Sequence, residues 1–600
     1  MEKISARRMF SGYLSGAKEV MSHRSILNKI NVFPVADGDT RTNLFSTMKI
    51  IVQESTYDTS VQSTLSSIAD SALKGARGNS GIIFAQYLYG LSLETANDAY
   101  LTLQNFVSAN QKAVSYAYNA VTQPVQGTIL TVIQKWADSL QRWQDPSSSF
   151  VDVLHKAYQD VEQAVLQTTQ QLQVLKQNKV VDSGAKGFAL FIKGFLDHLR
   201  TNKEDFAIPP SLSLEDDPII HPPEHIHGDT TYRYCSEAML EGTDMSLEKL
   251  RKDCIPLGDS LLLAGSNHKA RIHIHTDHPQ SFFSLLSKYG TTTYQKVDDM
   301  KMQMDVMTKR KHPIAIVTDS IADIPQSFID EHQIHVLPLH LFLGDTNYLD
   351  RLTIDTEEVL HYIDQHAQLP TSSQPVYKDV ENTFQFLSSY YDSILVITVS
   401  SELSGTHNIV SNVAQDSKNS TCPIHVVDSK LNSGAQGMLV MKCAQLLEEG
   451  RSIDQIQSLL HDQIKRSHIY VHVKSIDNMI KAGRLSHRLG AIAKALHLHP
   501  IVALDENGKG TLRAIAFRYE QSKKKTLRIL RKLHKKGQIE SYSIVHCNNR
   551  KEAEEMSHTL ETILQKPPLF IEEISSITSI SAGRGAIAVS FICNDAQGGL

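Results

Sequence analysis

The chain has 600 residues, too many for one hydrophobic core, and this length implies roughly three or four domains. Its 41% apolar and 21% charged residues are the balance of folded domains rather than of disorder, and a formal net charge of −5 gives no general basic field for nucleic acid. The six cysteines (Cys235, Cys254, Cys422, Cys443, Cys547 and Cys593) are scattered without a CxxC pair, the usage of a reducing compartment. The segment from Met1 to Arg8 is charged and lacks the apolar core of a signal peptide. No run approaches the about 18–20 apolar residues of a membrane span, so a cytoplasmic location is expected.

Apolar residues three and four apart predict helices over Ile4–Asn28, the stretch after Gly81, Ala99–Thr122, Thr128–Arg142, Phe150–Leu175 and Gly184–Leu199. Few alternating β-branched runs interrupt them, and an antiparallel helical bundle or barrel is the natural packing. Proline and acid crowd together from Ala207-Ile-Pro-Pro to Asp216-Asp-Pro-Ile-Ile-His-Pro-Pro-Glu, the composition of a linker. From about Thr230 to Met307, strands at Leu261–Ala264 and Ala270–His275 with a helix over Pro279–Tyr289 predict a small α+β unit. Beyond Lys311, strand candidates Ile314–Val317, Val336–Leu343, Ser393–Val399, His425–Val427, Ser541–His546 and Ala586–Ile592 alternate with helices in an α/β pattern.

Between Asn31 and Asn43 the chain reads Asn-Val-Phe-Pro-Val-Ala-Asp-Gly-Asp-Thr-Arg-Thr-Asn. Gly38 lets the backbone turn tightly, so the carboxylates of Asp37 and Asp39 can face one hard cation. Thr40, Thr42 and Asn43 follow at a predicted helix start, where backbone amides gather around an anion. Three more segments open helices in the same way: Gly75-Ala-Arg-Gly-Asn-Ser-Gly81, Gln126-Gly127-Thr128 and Val180-Val-Asp-Ser-Gly-Ala-Lys-Gly187. Each alone also fits an ordinary helix cap. Four in one helical region point to a metal–nucleotide site.

Taken in order, these motifs resemble the dihydroxyacetone-kinase L-subunit-like domain, most closely the N-terminal domain of bacterial fatty-acid kinases. The resemblance covers about residues 1–200 and implies an eight-helix barrel that binds ATP with Mg²⁺ at one end. It implies Asp37 and Asp39 as metal ligands and Asn31 near the metal. Thr40, Thr42, Asn43, Gly78, Asn79, Ser80, Gly127 and Thr128 would surround the phosphates, with Asp182 near the nucleotide.

In Arg271-Ile-His-Ile-His-Thr-Asp-His278, His273 and His275 stand two apart on a predicted strand, so both imidazoles share a face. With Cys235 from Tyr232-Arg-Tyr-Cys-Ser-Glu they could bind Zn²⁺. This segment, including Leu257-Gly-Asp-Ser260, resembles the central domain of fatty-acid kinases, which favours a metal at these three residues. His221, His225 and His227 form another histidine patch, which reads as solvated linker.

Thr318-Asp319-Ser320 ends the first strand of the α/β region, where open sheets place their ligand loops. The loops Thr371-Ser-Ser-Gln-Pro375, Ser400-Ser-Glu-Leu-Ser-Gly-Thr406 and Asp428-Ser429 add hydroxyls and amides. With Lys481-Ala-Gly-Arg-Leu-Ser486 and Gly583-Arg-Gly-Ala-Ile-Ala-Val589, they resemble the DegV family of fatty-acid-binding proteins over about residues 312–595. That family implies a two-lobed α/β protein burying an acyl chain. Ser372 or Ser373 and Ser404 would hydrogen-bond its carboxylate, Thr318, Ser320, Gly405 and Thr406 would lie in the same loops, and Arg484 would stand near the head-group. Three positions depart from these families: Arg41 stands where related kinases have glycine, Ser581 where a histidine is common, and His499 where a lysine is common.

The expected organisation is an ATP- and Mg²⁺-binding helical domain at 1–203, a linker at 204–229, an α+β middle domain at 230–310 with candidate Zn²⁺, and a lipid-binding DegV-like domain at 311–600. The expected reaction is phosphoryl transfer from ATP to a fatty-acid carboxylate. A small hydroxyketone kinase, or a lipid-binding protein with a degenerate ATP domain, are the alternatives. Expected partners are a fatty acid, an acyltransferase or other acyl acceptor, and a second copy of the chain. The basic amphipathic segment Lys523–Lys536 fits a surface helix packed on its sheet, or a peripheral contact with anionic membrane or an acidic partner.

Overall fold

The computed structural model describes residues 3–31, 43–145, 148–201, 203–205, 231–366, 368–417, 422–485 and 499–594. They divide into two units, Met1–Gln303 and Met304–Leu600. Among the described residues no helix is long and apolar enough to cross a membrane.

The first unit begins with ten described helices: α1 (Ala6–Ser22), α2 (Arg24–Lys29), α3 (Asn43–Glu54), α4 (Val61–Gly75), α5 (Gly78–Glu94), α6 (Leu103–Asn119), α7 (Ile129–Trp143), α8 (Phe150–Gln171), α9 (Gln173–Asn178) and α10 (Ser183–Arg200). Ser5, Ser60, Thr102, Ser149 and Asp182 start five of them by accepting the amide three residues on. A two-stranded pair, β1 (Lys3–Ser5) with β2 (Tyr100–Thr102), replaces the starts of the predicted helices Ile4–Asn28 and Ala99–Thr122. The predicted Phe150–Leu175 helix breaks at Leu172, where the backbone turns extended (φ −118, ψ 128). Glycines let α1 and α10 approach closely: a Cβ on Gly194 would lie 2.6 Å from the Ser15 carbonyl oxygen and 2.9 Å from Gly16 Cα.

The same unit continues into an antiparallel sheet of β3 (Tyr234–Glu241), β4 (Asp259–Gly265), β5 (Lys269–Thr276) and β6 (Thr291–Asp299) in the order β4-β5-β3-β6. Strand alternation gives it two different faces. Ala238, Leu240, Ile272 and Ile274 pack under the helices Leu247–Cys254 and Pro279–Leu286. Met239, Leu262 and Ala264, on the other face, join the core of the helical region. Backbone bonds Leu263 N–H to Ala120 O (2.9 Å) and Thr122 N–H to Leu261 O (3.3 Å) fasten this attachment.

The second unit holds a parallel sheet of β7 (Ile314–Asp319), β8 (His335–Leu337), β12 (Ser393–Thr398) and β13 (Ile424–Asp428), ordered β13-β12-β7-β8. β9 (His340–Leu343), β10 (Thr346–Leu349) and β11 (Thr371–Ser373) form a small antiparallel sheet. β14 (Ser467–His472), β15 (Ile501–Leu504), β16 (Gly510–Ala514), β17 (Ile539–His546), β18 (Ile571–Glu573) and β19 (Ile587–Cys593) form a mixed sheet in the order β16-β15-β14-β19-β17-β18. The predicted strand Val336–Leu343 is two strands, because Pro338 cannot donate to a ladder. The helix Ser433–Glu448 is buried along most of its length, and its Met438, Leu439 and Val440 share one core with residues of the parallel and mixed sheets. In the basic helix Tyr519–Lys535, Leu530 and Leu533 are buried in the core while Lys524, Arg528, Arg531 and Lys532 are exposed.

Gly194→Ala tests the helix crossing in the first unit. Alanine favours a helix by about 0.5–1 kcal/mol over glycine, but overpacking against α1 is expected to destabilise by about 1–3 kcal/mol. Thermal unfolding reads the sign, and a raised Tm would contradict the close contact.

Candidate functional site

In the first unit, the starts of three other helices meet the first two turns of α10, whose N-cap is Asp182. As N-cap of α10, its carboxylate accepts the Ala185 amide at 2.7 Å and also the backbone N–H of Ile129, the first residue of α7. Its own N–H donates to Thr168 Oγ1 at 3.0 Å. Ser80, in the first turn of α5, approaches so closely that a Cβ on Gly184 would lie 2.3 Å from its Oγ. Leu44, in the first turn of α3, lies 2.3 Å from the position of a Cβ on Gly187. Ser183 Oγ donates to Asn31 Oδ1 at 2.8 Å. Thr128 is the N-cap residue of α7, with its Oγ1 donating to Val125 O (2.8 Å), and Gly127 takes φ +85 against Gln171. The structure thus brings Asn31, Ser80, Thr128 and Asp182 to one end of the helical region, where the amides of α5, α7 and α10 and the dipoles behind them can hold an anion. Asp37, Asp39, Thr40, Arg41 and Thr42 lie outside the described residues, and Asn43 is the first residue of α3.

Asn79 stands beside Ser80 in the first turn of α5, but the Gly78 amide is already committed. At φ 54, open to glycine, its N–H points to Glu237 on β3 and donates to Oε1 at 3.1 Å. Glu237 pairs with His273 across the β3–β5 ladder, and Cys235 with His275. Period two therefore puts all four side chains on the face turned to the helices. Donor atoms of Cys235, His273 and His275 lie within 4.8 Å of one another. Cys235 Sγ is 3.7 Å from His273 Nδ1, which is 3.4 Å from Glu237 Oε1. The buried Nε2 of His273 has no hydrogen-bond partner. Burial and the neighbouring His273 push His275 down to about 3, leaving its imidazole neutral with a lone pair to give. One sulfur and two imidazole nitrogens at this separation fit Zn²⁺. Burial alone would raise the Glu237 carboxyl, but Arg271, His273 and Arg77 hold it well below the usual range. His273 and His275 share a face as strand alternation requires, whereas the pairing that brings Cys235 and Glu237 beside them gives no sign in the sequence.

In the second unit, a cleft with a cavity of about 80 Å³ opens between the C-terminal ends of the parallel strands and the mixed sheet. Ile469, Val471, Val502 and Ala588 make its apolar wall, and Asn432, Ser433, Arg484, Thr578 and Ser581 supply polar groups. This lining suits a chain-like apolar ligand with one polar end. Arg484 lines the cleft. Thr318 and Ser320 do not: both are fully buried, with Thr318 Oγ1 on Ile397 O (2.8 Å) and Ser320 Oγ on Asp350 (2.7 Å). Ser404 bonds Thr406 Oγ1 at 2.8 Å beside Leu403, which lines the cleft, and a Cβ on Gly405 would meet Gln374 at 2.2 Å. The loop bearing Ser372 and Ser373 therefore touches the loop bearing Ser404, Gly405 and Thr406. Asn432 and Thr578 are additions from the structure; Asn432 Oδ1 is buried without a partner. Ser433, held at φ 53 by its hydroxyl bond to Asp323, follows it. His499 bonds Ala516 O through its backbone N–H (2.7 Å).

Three family models match this chain in tandem. They are the DAK2 domain over residues 34–197, the FakA-like middle domain of fatty acid kinase over 231–307, and the uncharacterised DegV family over 313–594. Together they match a fatty-acid kinase region joined to a DegV domain. An uncharacterized protein of Staphylococcus epidermidis is 30% identical over 348 residues, 54% of this chain and 62% of that protein. One of Staphylococcus haemolyticus is 32% identical over 325 residues, 52% of this chain and 58% of that protein. The chain therefore spans about three fifths of the curated relatives it matches. Among solved structures, a fatty-acid-binding DegV family protein of Thermus thermophilus aligns with TM-score 0.43 and 22% identity over 47% of this chain and 99% of that one. DegV of Bacillus subtilis, described as a fatty acid binding protein, aligns with TM-score 0.44 and 24% identity over 47% of this chain and 100% of that one.

Burial raises the Asp182 carboxyl from 3.8 to about 6, against the pull of the Ala185 and Ile129 amides. Between those values the folded protein binds more protons there than the unfolded chain does. This group's contribution to stability therefore falls as pH rises from about 4 to 6 and is level above. Asp182→Asn keeps an acceptor but cannot ionise. Its stability relative to the wild type is expected to rise by roughly 2–3 kcal/mol across that window. Denaturant titrations at several pH values check this, and a flat difference would refute it.

Proposed function

We propose that the chain is an ATP-dependent kinase that phosphorylates a fatty-acid carboxylate to an acyl phosphate. The observation carrying this reading is the presence in one chain of helix starts converging within the DAK2-matching region and an apolar cleft within the DegV-matching region. Residues 1–203 form the proposed nucleotide domain, 204–229 the linker, 230–310 the middle domain and 311–600 the lipid-presenting domain. Asp37 and Asp39 are the proposed Mg²⁺ ligands. The first turns of α5 and α7, with Asn79, Ser80 and Thr128, face the phosphates. Bound Mg²⁺ neutralises phosphate charge. Cys235, His273 and His275 are the proposed Zn²⁺ ligands, where the ion would clamp β3 to β5.

The acyl chain occupies the cleft, with Arg484, Ser404 and the Ser372–Ser373 loop at its carboxylate. A carboxylate of pKa about 4–5 is already ionised at neutral pH, so the acceptor needs no general base. Its oxygen forms a bond to the γ-phosphorus, the bond to the bridging oxygen breaks, and ADP leaves. Positioning and charge neutralisation supply the acceleration. Holding donor and lipid domains in one chain raises their effective concentration where geometry lets the sites meet.

With ATP, Mg²⁺ and oleate, hydroxylamine trapping should yield the oleoyl hydroxamate, and Asp39→Ala should lower the rate at least about 100-fold, the scale of losing one charge-stabilising group. Turnover of a hydroxyketone with none of oleate would establish the polyol-kinase alternative instead. Bound acyl chain without ATP turnover would leave a lipid-binding protein.

A further inference from the structure

Beyond the proposed ligands themselves, one oxygen joins two sites. Glu237 Oε1 accepts the Gly78 amide at 3.1 Å and lies 3.4 Å from His273 Nδ1, while Oε2 takes Arg271. Glu237 is 5% exposed and Arg271 fully buried, so neither can turn to water. The guanidinium of Arg77, the residue before Gly78, lies 4.3 Å over the Tyr294 ring and that of Arg271 4.4 Å. Arg77 also donates to Lys74 O and Ala76 O, pinning the turn between α4 and α5. The start of α5 is therefore bolted to the sheet face that carries Cys235, His273 and His275.

We propose that Glu237 is a positioning residue that couples the state of the Cys235–His273–His275 cluster to the geometry of the Gly78–Ser80 turn. This rests on the nucleotide reading of the α5 start given above. A divalent ion on the cluster fixes the His273 ring. A fixed ring with Nδ1–H toward Oε1 fixes the carboxylate, as outer partners of metal-bound histidines do in reverse. The carboxylate then sets where the Gly78 amide points, and with it the neighbouring Asn79 and Ser80 amides. Coupling of this kind is reciprocal, so cation and nucleotide must change each other's affinity by the same factor.

The test uses the full chain, stripped of metal or loaded with Zn²⁺. The affinity of a fluorescent ATP analogue with Mg²⁺ is measured in both states, and Zn²⁺ affinity by chelator competition with and without the analogue. The expected result is about a tenfold change in each, equal within error. Glu237→Gln retains an acceptor for Gly78 and should keep part of the coupling. The pair Glu237→Leu with Arg271→Met removes both buried charges together, which spares the fold an unpaired arginine. It should bind Zn²⁺ and analogue independently. A purely structural Glu237 would change the unfolding midpoint and leave the coupling factor intact, which overturns the proposal. Equal analogue affinity in stripped and loaded wild-type protein overturns it without any variant, as does failure to bind Zn²⁺. No analogue binding in either state would instead overturn the nucleotide reading on which it rests.

Discussion

Every helix start leaves backbone N–H groups that must find acceptors, and in this chain buried carboxylates are recurrent ones. Asp182 joins α7 to α10, and Glu237 joins α5 to the middle sheet. In the second unit, Asp319 accepts Val399 N–H at 2.6 Å and Ile321 N–H at 3.1 Å, and Asp323 accepts Ser575 N–H at 3.0 Å. Each carboxylate ties together elements far apart in sequence. Each also stays buried only because amides, hydroxyls or a guanidinium satisfy its oxygens. Remove any one and several chain ends lose their partner at once.

That constraint separates supporting groups from groups free to meet a ligand. Thr318-Asp319-Ser320 ends β7 where an open parallel sheet presents its loops, yet all three side chains are turned inward to bonds with Ile397, Val399 and Asp350. They build the floor from which the neighbouring loops rise. The groups left to face the cleft come from the next layer out: Asn432 and Ser433 at the start of a helix, Arg484, and Thr578 and Ser581 near the last strand.

The sequence made the local features legible and the long-range ones not. Glycine and small polar residues ahead of apolar periodicity marked the starts of α5, α7 and α10, because a helix start is written in a few adjacent residues. His-x-His marked a shared face, because strand alternation has a fixed period. Glu237, 159 residues beyond Gly78, reads as one more polar residue in Tyr-Cys-Ser-Glu. Its role exists only once β3 lies against α5. Asn432 and Thr578 stayed hidden for the same reason, since a cleft between sheets has no signature in either strand. The break at Pro338 was readable in principle: a proline inside a strand pattern is itself a stop.

Asp182 shows how the same constraint bears on chemistry. A carboxyl raised to about 6 among converging helix starts has the profile of a general base. Its oxygens, however, already accept the Ala185 and Ile129 amides, and its N–H is held by Thr168, so the group is fixed as a cap. Burial accounts for the shift in full. A carboxylate acceptor, ionised at neutral pH, has no proton to surrender. On the proposed reaction the site therefore asks of its protein groups only charge and position, and the buried carboxylates serve it by fixing the helix starts around it.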